Sequence, residues 1–310
     1  MHPAYSIIFF TTASGAGYGL IACAVLFGVS GLVPVERPFG IGLLGVASAL
    51  VIGGLLSSVA HLRRPERAWR AFSQWRSSWL SREAVLAVAT FVPLTVFGFG
   101  WMMHERLWLV PGLLAAASAL ATVHATAMIY RSVRPVRAWS SPLVSAAFLT
   151  FAIAGGTFLA ATIVTVLGRA APIVTFVAIL ATITAWAIKV TYWRAIDRPD
   201  PTSTRETALG LQGRGRVTPL EPAHSHPNYL LEEMGYVVAR RHASKLRRIA
   251  LAGAASALAL LLTALAVGPG MIATPIVLLA TGTYFAAVLI ERWLFFAEAR
   301  HTVLLYYGAG

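Results

Sequence analysis

Charged residues and cysteine are scarce in this chain, and both shortages restrict what it can be. Only 12% of its 310 residues are charged, against about 25% in an ordinary soluble domain, while 57% are hydrophobic and the mean hydropathy is +0.71. A water-soluble fold cannot be built from that composition. The single cysteine, Cys23, excludes a disulfide framework, a thiolate zinc site and a cysteine-ligated iron–sulfur cluster within the chain.

Long apolar runs dominate the sequence. The net charge is +13, but the basic stripe on a polar domain that nucleic-acid binding requires is missing. Spanning hydrocarbon takes about 20 mostly apolar residues as helix. The stretches that qualify are 6–31, 39–60, 84–103, 108–130, 142–167, 171–194, 247–267 and 271–296. We predict an all-α polytopic membrane protein, an eight-transmembrane-helix bundle that forms one integral membrane domain over 1–310, with loops at 61–83 and 195–246.

The distribution of basic residues predicts the orientation of these spans, because cytoplasmic loops retain positive charge. With eight spans, every Lys and Arg except Arg37, Arg106 and Arg169 falls on the side that bears both termini. An odd number of spans would divide the basic loops between the two faces. We therefore predict a multi-pass protein of the bacterial inner membrane with its N- and C-termini in the cytoplasm.

Few ionisable residues lie at membrane depth, where they are costly and therefore informative. His61 ends the second span and Glu83 opens the third, with Arg64 and Arg67 in the loop between them. A quinol gives up two electrons and two protons, so its site needs a hydrogen-bond donor, a group that titrates near neutral pH and a carboxylate. These residues could supply those functions at the membrane boundary. The alternative is structural: His61 caps a helix and Glu83 pairs with an arginine.

The loop at 61–83 interleaves arginines with aromatic residues. Its candidates for contact with a partner subunit are Trp69, Arg70, Trp75, Arg76 and Trp79. The alternative is an interfacial belt, in which rings and guanidinium groups lie at the level of the lipid headgroups. The sequence alone leaves both interpretations open.

Other cofactors have weaker support in the sequence. A membrane haem would need two histidine ligands on facing helices, and only His61 and His124 are available in the spans. His224 and His226 lack the further ligand spacing of a metal site. No catalytic residue set stands out, so we expect an electron-transfer or anchoring subunit without haem, metal or cluster of its own.

Glycines recur within the first span, at Gly15, Gly17 and Gly19. No strand precedes them, as a dinucleotide-binding loop would require. Small residues within a spanning helix allow a neighbouring helix to approach closely. We therefore expect these glycines to serve helix packing.

Sequence blocks spread along nearly the whole chain share one likeness. The blocks are His2–Ser6 with Phe9–Gly17, His61-Leu62 with Arg64–Trp69 and Ser78–Glu83, Ala127–Tyr130 with Ala138-Trp139, Glu206–Ala208, and Pro227–Leu231 with Glu233–Gly235. Together they resemble the membrane-anchor subunit of the dimethyl sulfoxide reductase family. The second block is the most specific of them.

The resemblance implies an eight-helix, haem-free anchor that binds a quinone, either ubiquinone or menaquinone. Such an anchor docks an iron–sulfur subunit, which in turn contacts a molybdopterin catalytic subunit. In that family the quinone site involves a histidine that ends helix two, an arginine soon after it and a glutamate that opens helix three. These correspond here to His61, Arg67 and Glu83. One departure is Arg63, which stands where the family more often has glycine.

The predicted topology adds a distinction within this family. Electron tunnelling requires the partner's cluster to lie near the quinone, on the face that we place in the cytoplasm. A cytoplasmic catalytic subunit resembles the sulfite-oxidising members, so sulfite oxidation is expected ahead of dimethyl sulfoxide reduction. The alternatives are a secondary transporter and a purely structural membrane anchor. The transporter has less support because the span centres carry almost no charge and no convincing half-to-half repeat is visible.

Overall fold

The computed structural model describes residues 5–60, 62, 64–198, 204–218, 220 and 241–305. Eight long helices dominate this part of the chain, and each is long and apolar enough to cross a membrane. They are α1 (Tyr5–Val29), α2 (Arg37–Ala60), α3 (Trp79–His104), α4 (Leu109–Arg131), α5 (Leu143–Val166), α6 (Pro172–Ile196), α7 (Ala243–Val267) and α8 (Ala273–Ala297). The predicted fold class, an all-α polytopic membrane protein with eight spans, is confirmed.

Successive spanning helices run in opposite directions, so odd-numbered helices begin and even-numbered helices end at the same face of the bundle. We call this the N-terminal face. At the opposite face, the Arg169 guanidinium lies 2.6 Å from the Glu36 carboxylate and so joins the loop after α5 to the loop after α1. Also there, the backbone N–H of Arg37 donates to Glu105 Oε1 at 3.1 Å.

Short elements lie at the helix ends. A 3-10 helix covers Pro65–Phe72, and single helical turns cover Arg137–Ser140 and Arg205–Ala208. After α8, the chain crosses back over the loop that follows α4. The backbone N–H of Thr302 donates to the Pro135 carbonyl at 2.9 Å, which fixes this segment across the N-terminal face.

The helices α1 and α5 form the centre of the bundle and are its most buried spans. Gly19 of α1 and Gly156 of α5 meet where the two helices cross, and a Cβ added at either glycine would overlap the backbone of the other helix. A Cβ at Gly17 would lie 2.8 Å from atoms of α2. The expected role in helix packing is confirmed for Gly17 and Gly19. It does not apply to Gly15, where an added Cβ would meet nothing within 4 Å.

The last four helices repeat the packing of the first four. In the first half, α1 packs on α2 and α4, and α3 packs on α4; in the second half, α5 packs on α6 and α8, and α7 packs on α8. The pairs α2–α3 and α6–α7 touch only lightly. The two halves meet mainly along α1 and α5. The bundle therefore contains an internal repetition of structure that the sequence does not display.

Candidate functional site at the N-terminal face

Glu83 lies in the first two turns of α3, with its side chain buried at 6% exposure. Because α3 packs along α4 in the opposite direction, the start of α3 lies beside the end of α4. There the hydroxyl of Thr126 donates a hydrogen bond to Glu83 Oε1. No arginine forms an ion pair with Glu83 in the part of the chain that the structure describes. A carboxyl in this setting is shielded from water and held by a neutral donor.

The other residues predicted for a quinone site are only partly visible. His61 lies outside the described residues, as does its neighbour Arg63. Arg64 and Arg67 are exposed and lie at the start of the 3-10 helix Pro65–Phe72, which contacts the ends of α2 and α3. The fold thus brings these arginines to the same end of the bundle as Glu83, although neither guanidinium touches its carboxyl among the described contacts. The four-residue site remains a prediction.

Exposed tryptophan–arginine pairs cover the N-terminal face beside α3. The Arg70 guanidinium lies 5.7 Å from the centroid of the Trp69 ring, and that of Arg76 lies 5.3 Å from the Trp75 ring. Trp69 is 65% exposed and Trp75 is 53% exposed. Both tryptophans therefore present apolar surface outside the packed bundle.

Trp79 differs from these two tryptophans because it is half-buried. Its ring packs edge-on against His124 of α4, with 6.1 Å between the centroids, and the Arg82 guanidinium lies 4.3 Å above it. Arg82 also donates to the backbone carbonyls of Trp75 and Arg76, at 3.1 and 2.7 Å. Trp79 and Arg82 thereby fasten the aromatic loop to the start of α3.

A groove of about 340 Å³ follows the seam where α2 and α3 touch lightly. Its walls include Leu44, Ser48, Phe91, Leu94, Phe99 and Met102. Phe91 is two turns beyond Glu83 on α3, roughly 12 Å along the helix. The groove therefore lies in the half of α3 that is farther from Glu83, extends toward the opposite face and offers a largely apolar surface to a chain-like ligand.

The second half of the bundle contains a buried ion cluster that the sequence did not assign to a site, formed by Lys189, Glu291 and Arg292. Lys189 Nζ lies 2.6 Å from Glu291 Oε1, and both side chains are 1% exposed. Arg292 Nη2 lies 3.5 Å from Glu291 Oε2. Aromatic rings cover both cations, with Lys189 Nζ 4.2 Å from the Tyr192 centroid and the Arg292 guanidinium 4.1 Å from that of Phe148. The signal was present, because Glu291 and Arg292 interrupt an otherwise apolar span.

A crevice of about 640 Å³ opens at the N-terminal face next to this cluster, between the ends of α6, α7 and α8. Arg247 crosses it, donating to the Asp197 carboxylate at 2.6 and 3.0 Å and to Glu298 at 2.8 Å. Burial raises the pKa of the Glu298 carboxyl above its usual value, while Arg247 acts in the opposite direction. The Trp193 ring lies between this crevice and the cluster, with Arg247 5.2 Å and Lys189 Nζ 5.5 Å from its centroid, so the crevice wall borders the buried ion cluster.

The two polar regions occupy corresponding places in the two halves. Glu83 stands as far from the start of α3 as Arg247 does from the start of α7. Thr126 and Arg292 likewise stand equally far from the ends of α4 and α8. The two halves thus place polar side chains at equivalent depths, a carboxyl and a hydroxyl group in the first half and two guanidinium groups in the second.

Comparisons with known proteins identify the family to which this chain belongs. A family model described as the DMSO reductase anchor subunit (DmsC) matches residues 1–298. One sulfite dehydrogenase subunit, from Allochromatium vinosum, is 36% identical over an alignment of 330 residues, which covers 99% of each chain. No solved structure matches. The resemblance seen in the sequence blocks is confirmed, and the chain belongs to the family of DMSO reductase anchor subunits.

Proposed function

We propose that this chain is the quinone-reactive membrane anchor of a molybdopterin oxidoreductase complex and exchanges electrons between the quinone pool and an iron–sulfur subunit. Its single cysteine, Cys23, is buried in α1, so the cluster that delivers or receives electrons must belong to the partner. The catalytic chemistry then takes place in a third, molybdopterin-containing subunit. The anchor supplies a binding site, protons and a docking surface.

The observation that carries this proposal is the buried Glu83–Thr126 pair between α3 and α4 at the N-terminal face. Reduction of a quinone takes up two electrons and two protons. In our assignment Glu83 exchanges a proton with one quinone oxygen, while His61 and the nearby Arg64 and Arg67 hold the headgroup. The apolar groove receives the isoprenoid tail of ubiquinone or menaquinone. The residues present fit such a ligand, because α3 carries both a buried carboxyl at its start and, about 12 Å farther along, one wall of an apolar groove.

The exposed tryptophan–arginine pairs form the docking surface for the iron–sulfur subunit in this proposal. Tryptophan and arginine are enriched among the residues that contribute most to protein interfaces. Trp69, Arg70, Trp75 and Arg76 lie on the same face as Glu83, so a cluster docked there would be near the quinone. Trp79 supports this surface from within by its contact with α4.

We assign sulfite as the substrate of the complex in preference to dimethyl sulfoxide. The relative from Allochromatium vinosum is named as a sulfite dehydrogenase subunit. The excess of basic residues at the N-terminal face also favours a cytoplasmic position for that face in the inner membrane. Electrons would then pass from sulfite through the partner subunits to the quinone.

Binding of a fluorescent quinol-site inhibitor to membranes that contain the assembled complex tests the site. Glu83→Gln and His61→Ala should each weaken binding by about tenfold or more, as expected for the loss of about 1.4 kcal/mol. The matched control is Glu105→Gln, which makes the same change at the opposite end of α3 and should leave affinity unchanged. Co-purification of the partner subunits checks assembly in parallel.

Two outcomes would contradict the proposal. Unchanged inhibitor binding in both site variants would place the quinone elsewhere or leave the chain as a purely structural anchor. Solute uptake into proteoliposomes by the chain alone would favour a secondary transporter. Either result would be independent of the substrate of the partner subunits.

A further inference from the structure

A small polar cavity lies between the two halves of the bundle. It is bordered by α1 and α4 of the first half and by α5 and α8 of the second half. Its polar lining includes Thr12, Ser14, Tyr18, Thr126, Tyr284 and Arg292. The cavity has a volume of about 20 Å³, which is enough to hold one water molecule.

Several polar atoms around this cavity have no hydrogen-bond partner among the described residues. They are Thr12 Oγ1, the hydroxyl groups of Tyr18 and Tyr284, and Arg292 Nε. All belong to side chains that are buried. Buried polar groups are costly unless they are hydrogen-bonded, and a buried water typically makes about three hydrogen bonds. The cavity therefore offers both the volume and the partners that a bound water requires.

Two lining residues of this cavity contact buried acidic groups, Glu83 in the first half and Glu291 in the second. On one side, its lining residue Thr126 donates to Glu83. On the other side, its lining residue Arg292 lies against Glu291 at 3.5 Å, and Glu291 in turn contacts Lys189. A single bound water would thus join the polar site of the first half to the ion cluster of the second.

We propose that the cavity binds an internal water and that this water completes a proton relay between Glu83 and the buried ion cluster. The inference rests on the proposed quinone site at Glu83. Water and hydroxyl groups can donate and accept at the same oxygen, so Thr126, Tyr18 and Tyr284 can pass a proton along. Arg292 remains protonated and serves to orient the water and Glu291.

The relay reaches water at the crevice beside Glu298. Lys189 Nζ and the Arg247 guanidinium lie 5.5 and 5.2 Å from the centroid of the same Trp193 ring, and Arg247 pairs with Glu298 in the crevice that opens on the N-terminal face. During quinone reduction, two electrons come from the iron–sulfur partner and two protons come from water at the N-terminal face. The proton that Glu83 gives to its quinone oxygen is replaced from this crevice through the relay. Oxidation of a quinol would send the protons the opposite way.

Removal of single hydroxyl groups tests the relay in the assembled complex. The variants are Tyr18→Phe, Tyr284→Phe and their combination, and the matched control is Thr182→Val, which removes a buried unpartnered hydroxyl outside the cavity. Complex reduced with dithionite and freed of excess reductant is mixed with decylubiquinone, and cluster reoxidation is followed by stopped-flow absorbance. We expect reoxidation to slow by about tenfold in the double variant and its solvent deuterium isotope effect to rise, because proton transfer becomes limiting. Inhibitor affinity should stay unchanged, and the control should behave as the unsubstituted complex.

The outcomes separate this inference from the proposed function. Unchanged reoxidation in the double variant, with inhibitor binding intact, would overturn the relay alone. Failure of the unsubstituted complex to bind the inhibitor would overturn the quinone site and the relay with it. A high-resolution structure of the unsubstituted complex tests the relay without any variant. Density for a water within hydrogen-bond distance of the Tyr18 and Tyr284 hydroxyls supports the relay, and its absence from a well-resolved map refutes it.

Discussion

Glu291 is the residue on which the charge balance of the second half depends. Taking a charge out of water costs several kcal/mol per ion, and only a well-placed partner offsets that cost. Glu291 lies 2.6 Å from Lys189 and 3.5 Å from Arg292, so one carboxylate serves two buried cations. The loss of this carboxylate leaves both cations without their acidic partner.

We expect Glu291→Gln to destabilise the protein by about 3–5 kcal/mol, the range for breaking a buried ion pair. The control is Glu36→Gln at the exposed Glu36–Arg169 pair, which should cost about 1 kcal/mol or less. Thermal unfolding of the detergent-solubilised protein measures both. Lys189→Met should be milder than Glu291→Gln because Glu291 keeps Arg292. Equal effects of Glu291→Gln and Glu36→Gln would contradict the buried charge balance.

A buried polar residue can be singled out from the sequence only when its side chain is unusual for a membrane span. Glu83 was predicted because a carboxylate at the start of an apolar helix is costly and rare. Thr126 gave no such signal, since a threonine hydroxyl in a helix can satisfy itself on its own backbone, as its 3.0 Å contact with the Thr122 carbonyl shows. Its pairing with Glu83 depends on the rotation of α3 against α4, which composition does not determine.

Among the elements, α1 depends most strongly on its glycines. It is apolar around its whole circumference and packs on α2, α4, α5 and α8. Close packing of spanning helices relies on small residues, because lipid gives no hydrophobic advantage to helix association. The crossing of α1 and α5 therefore requires the absence of a Cβ at Gly19 and Gly156.

Gly19→Ala should weaken the bundle by about 1–3 kcal/mol or more, because the added methyl group meets the rigid backbone of α5. Gly53→Ala on α2 is the control, since its Cβ meets nothing within 4 Å. The yield of folded protein and the midpoint of thermal unfolding in detergent measure the difference. Similar behaviour of the two variants would show that α1 and α5 do not cross at these glycines.

The aromatic loop allows a prediction about the partner. Trp69→Ala combined with Trp75→Ala should reduce co-purification of the iron–sulfur subunit, because interface tryptophans often contribute about 2 kcal/mol or more each. Phe176→Ala, a 58% exposed aromatic at the opposite face, is the control and should have no effect. Full co-purification of the double variant would leave these tryptophans as an interfacial belt.

Hydropathy located the eight helices but not all of their ends. The third and seventh helices begin at Trp79 and Ala243, several residues before the expected spans at 84–103 and 247–267. Both early turns carry charged residues, Arg82 and Glu83 in α3 and Lys245 and Arg247 in α7. A hydropathy pattern stops at such residues, whereas backbone hydrogen bonding continues beyond the hydrocarbon layer. The 3-10 helix Pro65–Phe72 lies between two spans, where hydropathy likewise gives no signal of helical structure.

The whole molecule shows a repetition that the sequence conceals. Helix packing depends on the shape of contacting faces, and many combinations of Ala, Gly, Val and Leu give similar faces. The two halves can therefore pack alike while their polar residues diverge, with a carboxyl in one half and an ion cluster in the other. The placement of both polar regions at the N-terminal face follows from this repetition and from the even number of helices in each half.

The orientation of that face is the last prediction, and it decides which way the complex works. Cysteine labelling suits this chain because Cys23 is its only cysteine and is buried. In a Cys23→Ala background, Ser132→Cys places an exposed thiol at the N-terminal face and Ala170→Cys places one at the opposite face. A membrane-impermeant maleimide added to intact cells should label the second variant, and the first only after the inner membrane is permeabilised. The reverse pattern would place Glu83 and the docking surface outside the cytoplasm. An exported catalytic subunit that draws electrons from quinol would then fit better than a cytoplasmic sulfite dehydrogenase, whereas the proposed quinone site does not depend on this orientation.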